Sequence, residues 1–113
     1  MEIIRNTLAR NELRRMAAGM FGDMVKAVVD VERGLMAVDA ELHADLEALL
    51  LEDGSTQRHL WGINLYPELE GEQFIEFDSM INMRPSQGNR SRGVEEAAVR
   101  LQIAGVVTRM IAG

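Results

Sequence analysis

The chain has 113 residues, a net charge of −6 and no cysteine. Such a length supports one domain, residues 1–113, around a single core. Missing cysteine excludes disulfides, thiolate metal sites and cysteine nucleophiles, and the acidic balance excludes general nucleic-acid binding, which needs a broad basic surface.

No apolar run approaches membrane-spanning length, and the start Met1-Glu2-Ile3-Ile4-Arg5 lacks the long apolar stretch of a secretory signal. The expectation is a cytoplasmic protein without a membrane partner. Charge is uneven along the chain. Asp30 to Asp53 holds eight acids and one base, Glu68 to Asp78 five acids and no base, and Arg84 to Gly93 three arginines and no acid.

Glu2–Arg5 reads as a short edge strand. Residues 10–21 read as a helix, because Leu13, Met16, Ala17, Met20 and Phe21 fall on one stripe, with Asn11 to cap it and Gly22 to stop it. Met24 to Val31 alternates and is rich in β-branched residues, which predicts a strand. Glu32-Arg33-Gly34 reads as a bulge, after which Leu35–Val38 continues or returns the strand. Ala40 to Leu51 reads both ways. Its Ala, Glu and Leu content favours a helix, while Leu42, Ala44, Leu46, Ala48 and Leu50 alternate against His43, Asp45 and Glu47. The strand is preferred because it lets neighbouring strands pair through short connections. Leu60 to Tyr66 reads as a strand ended by Pro67, and Phe74–Met83 as another with Ile75, Phe77, Ser79, Ile81 and Met83 inward. A final helix runs from Glu95 or Glu96 to about Ile111, with Val99, Ile103, Val106 and Met110 as its stripe.

Together these elements predict a two-layer α+β domain: an antiparallel sheet, a meander, with the N- and C-terminal helices packed on one face. The other face would carry His43, Asp45, Glu47, Glu76, Asp78, Asn82 and Arg84. The sheet's edges and uncovered face predict a homodimer.

Two groups of residues point to chemistry. The first is the loop Arg84–Gly93. Its arginines, Arg84, Arg90 and Arg92, offer forked donors for carboxylate or phosphate. Ser86, Gln87, Asn89 and Ser91 add neutral donors, and Gly88 and Gly93 let backbone N–H groups turn inward as an anion nest before a helix. It is not a Walker loop, since Val94-Glu95 stand where Lys and a hydroxyl are needed. The plain structural reading is that these arginines neutralise acids of the same chain. The second group is His43, Asp45 and Glu47, catalytic candidates that share a face on a strand, while on a helix His43 and Glu47 are i, i+4 neighbours. Two side chains do not make a metal site, and Glu76 or Asp78 would have to help; no metal and no cofactor is assigned. A solvated sheet face explains the same alternation of charge.

Leu42-His43-Ala44-Asp45, Leu60-Trp61-Gly62-Ile63-Asn64-Leu65-Tyr66-Pro67 and Ile81-Asn82-Met83-Arg84-Pro85-Ser86-Gln87-Gly88-Asn89-Arg90-Ser91 resemble an uncharacterised family of short prokaryotic proteins, a domain of unknown function. The resemblance covers most of the chain from about Gly22 onward and implies a single-domain prokaryotic cytosolic protein. It carries no activity. The leading expectation is a binding module whose arginine loop takes an anionic group on a small ligand or partner. A hydrolase or metal-dependent enzyme using His43, Asp45 and Glu47, with Arg84 as clamp, is the second, and a structural interaction protein the third.

Overall fold

In the run Val25–Asp30 every residue but Lys26 is buried, which places it in the middle of the domain. Residues 1–113 are described by a computed structural model. In chain order the elements are β1 (Glu2–Ile4), β2 (Leu8–Ala9), α1 (Arg10–Ala18), β3 (Val25–Asp30), β4 (Leu35–Val38), α2 (His43–Glu52), β5 (Leu60–Leu65), β6 (Ile75–Glu76), α3 (Ala97–Met110) and β7 (Ile111–Ala112). The main sheet is antiparallel in the order β1-β4-β3-β5-β6, and β2 and β7 form a small parallel pair that ties the two ends of the chain together.

β3 and β4 form a hairpin, so Leu35–Val38 returns the strand, and Glu32-Arg33-Gly34 is its turn rather than a bulge. Gly34 supplies the positive φ of 67° that closes it. Asp30, fully buried, accepts from the backbone N–H of Glu32 at 2.9 Å and of Arg33 at 3.0 Å, and from the Ser55 hydroxyl at 2.6 Å. A buried carboxylate is tolerable because its oxygens are hydrogen-bonded in this way.

Ala40–Leu51 is not a strand. Residues 43–52 form α2, with His43, Leu46 and Leu50 as its buried stripe. The reason is topological. β4 and β5 both lie antiparallel to β3 on either side of it, so they are parallel to each other. Parallel strands need a crossover, commonly a helix, and this one interrupts the expected run of consecutively paired strands. Ser55, just past the end of α2, bonds Asp30 in the row Lys26-Val28-Asp30, so α2 covers that face of the sheet. α1 and α3 pack against β3 on the other face, where the terminal helices were expected. The sheet is therefore covered on both faces, and 25 buried apolar residues form one core.

Phe74–Met83 yields only the two-residue β6. Beyond it the chain leaves the sheet, and a short 3-10 turn at Met80–Asn82 crosses the edge of β5. The Asn82 side chain takes the place of a strand there. Its Nδ2 donates to the Gly62 carbonyl at 2.9 Å, and its Oδ1 accepts from the Gly62 N–H at 2.8 Å. Gly62 makes this approach possible, since a β-carbon on it would stand 2.5 Å from Ser79 Cβ. The first helix also stops earlier than its periodicity predicts, at Ala18, leaving Met20 and Phe21 partly exposed.

Candidate functional site

The loop 84–93 is held by three side chains of its own neighbourhood. Arg84, only 7% exposed, lies with its guanidinium 4.4 Å over the Trp61 ring. It donates from Nε to the Ile81 carbonyl and from Nη1 to that of Gln57, both at 3.0 Å, and from Nη2 to that of Leu60. Burial pulls its pKa below the usual value, while Glu47 on α2 acts against that. The guanidinium remains a cation, but its fork is occupied by carbonyls.

Asn89 is the second brace. Its Nδ2 donates to the carbonyls of Asn82 and Gly93 at 2.8 Å each, and its Oδ1 accepts from Glu95 N–H at 2.9 Å. The backbones of Arg84 and Asn89 pair in both directions at 2.7 and 3.1 Å, and Gly88 turns the chain between them at φ 83°. Glu95 is the third brace. Its carboxylate accepts from the N–H groups of Arg90 at 2.6 Å and Ser91 at 2.9 Å, bonds that hold the carboxyl below its ordinary pKa. The inward-turned amides expected to receive an anion thus receive one from the chain itself.

The remaining loop residues divide in two. Arg92 pairs with Asp78 at 2.6 Å on the surface, and the Ser91 hydroxyl accepts from Gly93 N–H at 3.2 Å. Ser86, Gln87 and Arg90 are exposed, and their side chains have no partner within the chain. A small recess of about 170 Å³ lined by Trp61, Gln87, Gly88 and Asn89 opens beside them.

The second group does not assemble as the strand reading requires. On α2, Asp45 is exposed while His43 is buried and Glu47 half-buried one turn further on. The His43 Nε2 lies 2.8 Å from the Ile63 carbonyl and donates to it, so its bond is to the backbone and not to a nucleophile. Burial keeps the imidazole below its ordinary pKa and therefore neutral at neutral pH. The chain brings together no three of His, Asp and Glu in a geometry that could hold a metal ion.

Sequence reasoning missed Glu95 as a loop residue and Asn64 and Tyr66 as partners of Glu76. The Glu76 carboxylate accepts from Asn64 Nδ2 at 2.8 Å and Tyr66 OH at 2.9 Å; burial and this bond push the Tyr66 hydroxyl up to about 12. The cross-strand row that sets Asn64 opposite Glu76 was hidden by the overlong strand, while Glu95, four residues after Ser91, was the one signal of a self-bound loop.

Fold and loop together define a small α+β protein with a braced, arginine-bearing surface loop, and no helix long and apolar enough to cross a membrane. Residues 2–110 match the family model described as a protein of unknown function, DUF5674. The chain belongs to that family. No curated protein and no solved structure is a match for it.

Proposed function

We propose that this protein is a binding module, and that the tip of the 84–93 loop takes an anionic group on a small ligand or partner. One observation carries the reading: Arg84, Asn89 and Glu95 fix the loop, while Ser86, Gln87 and Arg90 are left outward without partners. A rigid frame with free polar groups lowers the ordering cost of binding. Arg90 supplies the forked cation, and Ser86 and Gln87 supply neutral donors. Arg84 supports the frame from below and does not clamp the ligand.

Thermal melts with phosphate, sulfate and nucleotides test this. A saturable rise is expected, about 2.7 kcal/mol for a ligand at a hundred times its dissociation constant. Arg90→Ala should remove most of the rise and leave the ligand-free protein within about 0.5 kcal/mol, because Arg90 is an exposed surface residue. A flat titration with all three ligand types would sink the reading.

A further inference from the structure

A groove of about 950 Å³ runs between α3 and the segment 71–77, away from the loop tip. Ala97, Leu101 and Ala104 form its α3 wall, and Phe74, Ile75 and Phe77 the wall opposite. Leu101 stands 74% exposed beside it. Nothing inside the monomer accounts for so bare a helix face.

The charges beside the groove narrow the choice of occupant. Three charged residues line it: Arg100 on α3, Glu72 opposite, and Arg10, whose guanidinium lies 4.5 Å over Phe74 and donates to the carbonyls of Gly113 and Pro67; none has an ion-pair partner within the chain. Arg100 commits Nη1 to the carbonyls of Val94 and Glu95. In a two-fold contact a patch meets itself, so residue i touches j while j touches i. A groove with one sign of charge would repel its own copy. A groove that carries both signs can pair them across the two-fold. The sheet edges offer less, since β1 and β6 are three and two residues long, and short edges pair poorly.

We propose that this groove is the interface of a homodimer in which α3 packs antiparallel on α3 of a second copy. Leu101 of each chain seats in the other's groove, and Arg100 of each meets Glu72 of the other. Sedimentation velocity on the full chain over a concentration series tests it, with dimer expected at high micromolar concentration. Leu101→Asp should weaken association roughly a hundred-fold, the scale of a buried anchor. It should leave the circular dichroism spectrum unchanged, because Leu101 is outside the core. Glu72→Arg should weaken the dimer roughly ten-fold by like-charge contact, and adding Arg100→Glu should restore it. A wild-type chain that stays monomeric, leaving the groove to a foreign peptide or an apolar ligand, overturns the proposal. So does a folded Leu101→Asp variant that dimerises undiminished, or a charge-swapped pair no stronger than Glu72→Arg alone.

Discussion

The hairpin turn at 30–34 and the loop at 84–95 solve the same local problem with the same chemistry. In each, one carboxylate accepts from two successive backbone N–H groups: Asp30 from Glu32 and Arg33, Glu95 from Arg90 and Ser91. The surroundings differ. Asp30 is fully buried, reaches forward along its own turn and is bound also by Ser55, so the hairpin and the end of α2 are joined. Glu95 is exposed and reaches back across the loop, and its hold is open to solvent. The hairpin turn spends its polar groups on architecture. The loop spends those at its base, Arg84 and Asn89, and leaves its tip free.

If that contrast is right, the loop's base is the more costly part to break. Arg84→Ala removes three hydrogen bonds to carbonyls and the stacking on Trp61. Each buried acceptor left bare costs about 1–3 kcal/mol, so a loss of about 4 kcal/mol or more in urea unfolding is expected. Arg84→Lys should recover little, since a single ammonium cannot fork to three carbonyls. Asp30→Ala strips two amides and a hydroxyl of their acceptor, but the two amides belong to the exposed residues Glu32 and Arg33, and about 3 kcal/mol is expected. Should Asp30→Ala prove the more damaging, the loop is not the better-built of the two.

Gly62→Ala gives the next largest effect and isolates the edge on which the loop is hung. Alanine improves strand propensity only slightly. A β-carbon 2.5 Å from Ser79 Cβ forces the 79–82 segment off β5 and strains the Asn82 bonds to Gly62. Overpacking of this kind costs about 2 kcal/mol, readable as a lowered midpoint. A neutral or stabilised variant would mean that the segment yields easily and the loop is not rigidly seated.

Periodicity was enough to place β3, β5 and the two terminal helices, though α1 ends at Ala18, short of its apolar stripe, and it left open whether Leu35–Val38 continues or returns the strand. It failed for α2, where Leu42, Leu46 and Leu50 satisfy periods of both two and nearly four. The deciding information lay elsewhere. Val28 and Asp30 on one row of β3 are buried as fully as Ala27 and Val29 on the other, so both faces of the strand need a cover. It failed again at Phe77–Met83, whose alternation is real but which meets β5 through the side chain of Asn82 rather than as a strand. Such side-chain-to-backbone pairing depends on which segments meet in space, and no spacing records it. The loop was legible as polar and basic. Which of its arginines is buried was not, because Arg84 owes its place to Trp61 and to carbonyls up to 27 residues away.

The smallest expected effect tests the exposed carboxylate directly. The N–H groups of Arg90 first, and Ser91 second, hold the Glu95 carboxyl below its ordinary pKa. A carboxylate lowered on folding contributes stability above its unfolded pKa and loses that contribution as pH falls through the lowered folded value. The amide protons of Arg90 and Ser91, followed by NMR, should therefore hold constant through mildly acidic pH. They should shift together only once the pH drops below the range in which free glutamate titrates. Glu95→Gln should erase that step, because an amide oxygen can still accept but does not titrate. Its neutral oxygen is also a weaker acceptor, so phosphate should compete better for the two amides and shift them further in Glu95→Gln than in the wild type. Amides that titrate at the ordinary glutamate value would show the loop unbraced by Glu95. The resemblance to the Asp30 turn would then be one of geometry without a shared energetic role.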